Sequence, residues 1–283
     1  NSFNGMFAFA IWDTKKRILF AARDRFGMKP FFYVANKECI LFSSEIKSIY
    51  HSELISFNPK ADNFNEFLIF GYIAGTETLH ESVLELQPGH TLMWQNGTIT
   101  NNQYWSPVPK ESIKLKNINE LIENKINTAI KSWLTADVEV ASLLSGGIDS
   151  NILTVIADNE INGIRAFSAT LPDDPINDEK ELIQLTAKQL KGNHHLIRID
   201  GAYLENNFIK LIEHYDDPIH DSNYFTLMAI CAKIREISNI KVVLCGEGAD
   251  EVFGGYKRYN KIANEYNSGN LDTLIYSLNH VAI

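Results

Sequence analysis

The 283-residue chain is short of cysteine, of basic charge and of long apolar runs, and each shortage removes a class of protein. Its three cysteines, Cys39, Cys231 and Cys245, are odd in number and widely separated. That argues against a disulfide framework or a zinc site and suits a reducing, cytoplasmic compartment. Lysine and arginine number 26 against 35 acidic residues, a net charge of −9. A sequence-independent nucleic-acid surface is therefore not expected. No apolar run approaches the ~20 residues of a membrane span. The opening NSFNGMFAFAIW lacks the basic segment of a signal peptide and starts abruptly with strand-like sequence, so the amino-terminal half is expected to be truncated. Repeats and low-complexity tracts are missing as well. With 45% apolar residues, the chain can bury one large core or two ordinary ones.

What is present centres on Val138–Ser150, VEVASLLSGGIDS. Val138–Leu144 is short, apolar and partly β-branched, which predicts a buried strand. Ile148, Ile152, Val155 and Ile156 then recur at the spacing of a helix face. Ser145–Ser150 is thus a tight turn between a strand's carboxyl end and a helix's amino end. There, unpaired N–H groups and the positive end of the helix dipole suit phosphate. Gly146 and Gly147 allow close backbone approach, while Ser145 and Ser150 offer hydroxyls. Asp149 would repel phosphate unless a metal lies between, so it reads as a Mg²⁺ ligand. The alternative is an ordinary Ser/Gly turn. A second loop, Gly246–Tyr256 (GEGADEVFGGY), brings Glu247, Asp250 and Glu251 out of another apolar segment. It suits a metal–nucleotide or substrate site, or else a solvated acidic loop.

Around these loops the elements alternate. Residues 1–105 are mainly β, with strands at Met6–Asp13, Arg17–Asp24, Phe31–Val34, Cys39–Ser43 and on either side of Asn96-Gly97, a strong hairpin signal. Short helices are predicted at Ser44–Tyr50, capped by serine, and at Asp62–Phe70, capped by Asp62. This β layer needs a second one, and few residues remain to build it. Ser106–Lys116 is a linker. Ile118–Leu134 is an amphipathic helix with Asn117 and Glu120 at capping-box positions. Strands at Val138–Leu144, Ile164–Leu171, His195–Ile199 and Ile240–Cys245 alternate with helices at Asp178–Lys191, Tyr203–Tyr215 and Asn223–Ile237. Gly192 is the expected C′ residue of the first of these helices. The pattern predicts a parallel sheet with helices on both faces and ligands beyond its carboxyl edge.

SGGIDS resembles the pyrophosphate loop of the ATP pyrophosphatase superfamily. Together with GEGADEVFGGY, and with GMFAFAIWD (5–13), RDRFGMKPFFY (23–33), FSSEIKSI (42–49) and LQPGH (86–90), it resembles the glutamine-dependent asparagine synthetases. The resemblance implies α/β plus α+β architecture. A truncated, β-rich, amino-terminal nucleophile hydrolase-like layer (1–105, a partial class II glutaminase domain) precedes the linker at 106–116. A parallel-sheet ATP pyrophosphatase domain, adenine nucleotide alpha hydrolase-like, fills 117–283. It implies a ligase that adenylates aspartate with ATP and Mg²⁺ and displaces AMP with ammonia from glutamine, as a possible homodimer. By position, Ser145, Gly146, Gly147, Asp149 and Ser150 match the pyrophosphate loop. Asp149 and Asp250 match acids associated with Mg²⁺. Leu143 and Ala169 match positions beside the base, and Cys245 and Gly246 match the strand end beside the nucleotide. Glu247 matches a catalytic glutamate near the reacting carboxylate and ammonia.

The chain departs from the family in places. The family's nucleophilic cysteine and oxyanion donors belong upstream of Asn1, so residues 1–283 alone are expected not to hydrolyse glutamine. Cys39 lies in a predicted strand and is read as a core thiol. A nucleotide-contacting lysine belongs beyond Ile283, and Thr170 stands where the family often has glycine. Among weaker candidates, Arg23-Asp24-Arg25 and Pro30 read as a structural ion pair and turn, and His194-His195 as a half-buried strand end. Tyr215–Pro218 with Asp221 and Ser222 is a substrate loop or a helix cap, and Lys257 and Arg258 either reach phosphate or start a solvated helix. Rival functions are a relative acting on another carboxylate, such as an amidotransferase of surface-polysaccharide synthesis or a β-lactam-forming synthetase, and a non-catalytic nucleotide-binding remnant.

Overall fold

The computed structural model describes residues 3–108, 117–216, 218–221, 223–256, 259 and 263–264. Lys257, Arg258, Asp217, Ser222 and the 109–116 part of the linker lie outside them. The described residues form two compact units, one built from residues 3–108 together with Tyr215, Asp216 and Pro218, the other from the remainder.

In the first unit, β1 (Ala8–Asp13) and β2 (Ile18–Arg23) form a hairpin. The Asp13 carboxylate accepts from the Lys15 and Lys16 N–H groups at 2.9 and 3.0 Å and closes its turn. A second hairpin, β3 (Phe32–Ala35) and β4 (Ile40–Ser43), leads into α1 (Ile46–Tyr50) and then α2 (Ala61–Phe70). After these come β5 (Leu84–Glu85), β6 (His90–Gln95) and β7 (Thr98–Gln103). Asn96 and Gly97 both have positive φ, 50° and 80°, as the hairpin motif demands. The strands make two antiparallel sheets, β1-β2-β6-β7 and β4-β3-β5. Leu19, Ala21, Leu92 and Trp94 of the larger sheet share a core with Phe31, Tyr33 and Leu86 on the smaller. The missing second layer is therefore present. Its third strand, β5, is two residues long and leaves no alternating pattern to read.

Arg23 and Asp24 anchor the turn that follows β2. Both are buried, yet they do not pair with each other. Arg23 bonds Glu85 at 2.7 Å and donates to the carbonyls of Gly27, Lys29 and Leu86. Asp24 accepts from the N–H groups of Phe7, Phe26, Met28 and Lys29. A buried charge needs full hydrogen bonding, and each residue finds it in backbone. The role is structural, as expected, but the ion-pair partner is Glu85.

Three local readings need correction. Cys39 is exposed, because the Asn36 side chain accepts from the Glu38 and Cys39 N–H groups and places Cys39 in the hairpin turn. No serine caps α1. Its first amides, on Ile46 and Lys47, donate instead to Asp216 at 2.6 and 3.3 Å. Asp62 lies inside the first turn of α2, with Lys60 at the N-cap position.

The second unit runs α3 (Ile118–Trp133), β8 (Val140–Leu143), α4 (Ile148–Glu160), β9 (Arg165–Thr170), α5 (Lys180–Ala187) and β10 (His194–Arg198), then α6 (Gly201–His214), α7 (Asn223–Ile237), β11 (Val242–Leu244) and α8 (Ala249–Phe253). Its sheet is wholly parallel, in the order β10-β9-β8-β11. Side chains alternate across it. Ala141, Leu143, Phe167, Ala169, Ile197 and Val243 face Ile230 and Ile234 of α7. Leu144, Ala166 and Leu196 meet Ile183 of α5. Helices thus cover both faces, as an all-parallel sheet requires.

Two expected caps are absent here. Asn117 is in the left-handed region (φ 58°), so its side chain makes no capping bond. Helix α5 ends at Ala187, and Gly192 is no C′ residue. It is glycine because a Cβ there would strike the Ile164 carbonyl.

That close approach is held by Asp158, at the carboxyl end of α4. Its Oδ1 accepts from Ile164 and Gly192 N–H at 2.9 and 3.0 Å, and its Oδ2 from Lys191 at 2.8 Å. Burial works to raise its pKa, but the three N–H donors and the Lys191 charge bring it below the ordinary 3.8. A folded-state pKa below the unfolded one stabilises the fold above pH 3.8, and the effect is lost as pH falls through the folded value. Asp158→Asn turns an amide donor toward these N–H groups and should cost about 2–3 kcal/mol near neutral pH. Urea denaturation should show that difference shrinking as the pH is lowered below 4. A constant difference down to pH 2 would assign the loss to packing.

Candidate nucleotide site

The strand order makes the site. The chain adds β9 and then β10 on one side of β8, then returns to place β11 on the other. The carboxyl ends of β8 and β11 flank this switch point, where open parallel sheets leave a crevice. Ser145–Gly147 leaves β8 there and Cys245–Gly248 leaves β11. The two loops touch: a Cβ on Gly246 would lie 3.1 Å from the Ser150 N and 3.2 Å from the Asp149 Cβ. Gly246 is glycine for space, since the loop after β11 packs on the amino end of α4.

The first loop is braced from inside. The Ser145 and Ser150 hydroxyls lie 2.7 Å apart, and the Ser150 hydroxyl also accepts the Ser145 N–H at 3.1 Å. The Ser145 hydroxyl accepts the Gly147 N–H at 3.2 Å. Asn151 donates its side-chain amide to the carbonyls of Ser145 and Gly147 and receives the Thr186 hydroxyl of α5. With these carbonyls engaged by Asn151, the N–H groups of Ser145, Gly146 and Gly147 rest on side-chain oxygens, two hydroxyls and one carboxylate, that an anion's oxygens can replace. The Gly146 N–H meets a carboxylate, Glu179 Oε2, at 2.8 Å. An amide that holds a carboxylate oxygen has the chemistry to hold a phosphate oxygen.

Asp149 is half-buried in the first turn of α4 and makes no hydrogen bond or ion pair with another described residue. In the second loop, Glu247 is exposed and equally unpartnered among described residues. Asp250 lies in α8, its Oδ1 packed so closely on Gly255 that no side chain fits there. Glu251 accepts the Tyr256 hydroxyl at 2.8 Å. The described residues contain no group of three or more His, Cys, Asp or Glu able to hold a metal. Asp149 and Asp250 each carry a hard carboxylate, the donor type that Mg²⁺ takes when phosphates and water complete its shell.

Leu143 and Ala169 stand at the carboxyl ends of β8 and β9, half-buried against the cluster under α7. Cys245 is exposed at the end of β11. Thr170, where the resemblance leads one to expect glycine, donates its hydroxyl to Asp178 at 2.8 Å, just before α5. Burial tends to raise the Asp178 pKa, but this bond, with two N–H donors and Lys180, leaves it lowered. His194 is half-buried on the Ser168 hydroxyl at 2.9 Å, and burial, with His195 beside it, lowers its pKa. His195 stacks on Phe167. Both histidines open β10 and are half-buried, as expected of a strand end. Asn151, Glu179 and Thr186 were not visible as site residues, because partners 33 to 35 residues apart leave no local pattern.

Comparison with known proteins places these features. Residues 121–279 match the family model described as asparagine synthase, and residues 1–105 match that of a glutamine amidotransferase domain. Asparagine synthetase (glutamine-hydrolyzing) 1 of Bacillus subtilis is 31% identical over 264 residues, 91% of this chain and 40% of the relative. Asparagine synthetase (glutamine-hydrolyzing) 3 of the same organism is 29% identical over 89% of this chain and 44% of its own length. Amidase chyE of Penicillium rubens is also 29% identical, over 90% of this chain and 40% of its length. The chain thus spans less than half the length of these relatives.

The contact between the loops gives a test. Gly246→Val forces two methyl groups against the start of α4 and should cost about 1–3 kcal/mol, whereas Glu247→Val, at the exposed neighbour, should cost under about 0.5 kcal/mol. Thermal denaturation of both variants checks this. Equal losses would mean that the two loops are not packed as described.

Proposed function

This chain belongs to the asparagine synthase family, and from that membership we propose that the full-length protein is an ATP-dependent amide ligase converting aspartate to asparagine. Residues 1–105 are read as part of its glutaminase domain, which supplies ammonia, and residues 117–283 as part of its synthetase domain. The observation carrying the proposal is the packing of Gly246 on Asp149 and Ser150 at the switch point. It brings an anion-binding turn and an acidic loop to one crevice.

In this reading ATP lies across the carboxyl edge of the sheet. Leu143 and Ala169 flank the base, the Cys245-Gly246 backbone runs beside the nucleotide, and the Ser145–Ser150 turn takes the β- and γ-phosphates. A carboxylate oxygen of aspartate attacks the α-phosphorus, the bond to the bridging oxygen breaks, and pyrophosphate leaves into the turn. The product is β-aspartyl-AMP. Ammonia then attacks the acyl carbon, Glu247 accepts the proton released from nitrogen, and AMP departs with the acyl C–O bond broken. Asp149 and Asp250 would hold Mg²⁺, which when bound offsets phosphate charge during displacement. The other reading, an acceptor carboxylate other than aspartate, is favoured by the amidase relative, which matches almost as well as the synthetases. Aspartate-dependent ATP–pyrophosphate exchange decides between the two.

The roles separate in the full-length protein. Asp149→Asn and Asp250→Asn should suppress pyrophosphate exchange and amide formation together. Glu247→Gln should lower amide formation by roughly 10²–10⁴-fold while exchange largely survives. If Glu247→Gln loses both equally, Glu247 acts at adenylation or in binding, and its assignment to the ammonia step is wrong.

A further inference from the structure

We propose that Glu179 is a built-in competitor of phosphate: its carboxylate holds the Gly146 amide in the nucleotide-free protein and must swing away for the loop to receive ATP. This rests on reading Ser145–Ser150 as a phosphate-binding turn. The contact is more than a touch of side-chain tips. Glu179 Oε2 accepts from the Gly146 N–H at 2.8 Å. A Cβ on Gly146 would lie 3.0 Å from the Glu179 Cβ and 3.1 Å from its carboxyl carbon. The side chain therefore lies along Gly146 and covers the backbone that an anion would approach.

Its base is fixed while its end is not. Glu179 occupies the N-cap position of α5, and the Ile183 N–H donates to its carbonyl at 3.0 Å. Ile183 is buried in the sheet face. The neighbouring Asp178 is held by the Thr170 hydroxyl at the end of β9. Farther along α5, Thr186 is bonded to Asn151, which braces the same turn. The helix thus delivers Glu179 to Gly146 at a set place. The carboxylate itself is exposed and turns on three single bonds, so it can leave without moving the helix.

The two glycine amides differ. The Gly147 N–H rests on a neutral hydroxyl, Ser145, which can rotate to donate to an incoming anion. The Gly146 N–H rests on a negative group, which can neither donate to phosphate nor stay beside it without repulsion. Displacing Glu179 therefore reduces apparent affinity by the fraction of molecules in which the amide is free. The effect falls on the part of the ligand that enters the turn. Adenosine, without phosphates, is insensitive to it.

The experiment compares binding of inorganic pyrophosphate, ATP and adenosine to the full-length protein and to Glu179→Gln and Glu179→Ala by titration calorimetry. Gln keeps an acceptor oxygen without the charge, and Ala removes both. Pyrophosphate and ATP should bind more tightly in the order wild type, Gln, Ala, with a total gain on the order of tenfold, and adenosine should not change. Unchanged or weaker pyrophosphate binding in both variants, with adenosine constant, overturns the proposal and leaves the phosphate turn standing. If pyrophosphate binds none of the three proteins, the phosphate turn itself is misread and the proposal falls with it. Should Ala unfold, the Gln variant alone decides, because it keeps the size and exposure of the native side chain.

Discussion

The pairing of β11 with β8 is the interaction on which the candidate site depends. Three residues on each strand, Val242–Leu244 against Val140–Ser142, carry it. With β11 on this flank, one loop rich in serine and glycine and another rich in acids leave adjacent strand ends. Had β11 been added outside β10, the same sequences would sit at opposite margins of the sheet. The small side chains at the junction follow from this. Ala141 and Ser142 are wholly buried in β8, and Gly246 leaves no gap between the β11 loop and α4. Short parallel strands are stabilised mainly by what covers them, and here that is the apolar face of α7 on one side and α5 on the other.

The two units solve the same problem in different ways. In each, a charged residue organises backbone that has no regular partner. Asp24 gathers four N–H groups around the turn after β2, and Asp158 gathers three at the far end of α4. A carboxylate accepts several N–H donors at once, so a single buried aspartate can hold a turn that glycine and proline alone would leave loose. The turn at Ser145–Ser150 is braced from within by neutral groups instead, the hydroxyls of Ser145 and Ser150 and the side-chain amide of Asn151.

Much of this was legible in the sequence, and the parts that were not share a physical cause. The periodic segments were correctly identified: Asn223–Ile237 is α7 to the residue, β8, β9 and β11 lie within their predicted spans, and β10 is shifted by one residue toward the amino terminus. Asn96-Gly97 formed its hairpin because two positive φ angles are a local requirement. The failures were caps and partners. Asn117 and Asp62 have cap-like sequence, but the backbone at Asn117 turns left-handed and α2 begins one residue before Asp62. Cys39 follows an apolar pattern, yet the Asn36 turn includes it. The turn at Ser145 was recognisable because strand, glycines and helix are contiguous. Glu179 was not, since its role depends on where α5 starts after a crossover. Short-range steric preferences are written locally, and choices among polar partners are made by the tertiary fold.

Asp158 sits at the amino edge of the parallel sheet, clamping the segments that enter β9 and β10, whereas both loops of the candidate site lie at the carboxyl edge. The two edges can therefore accumulate mutations under separate constraints. Substitutions around Glu247 or Ala249 can change the surface of the loop after β11 while the clamp keeps its hold on the fold. A lineage built on this sheet could diversify its chemistry with little loss of foldability. Relatives bearing both synthetase and amidase names are what such a division of labour would produce.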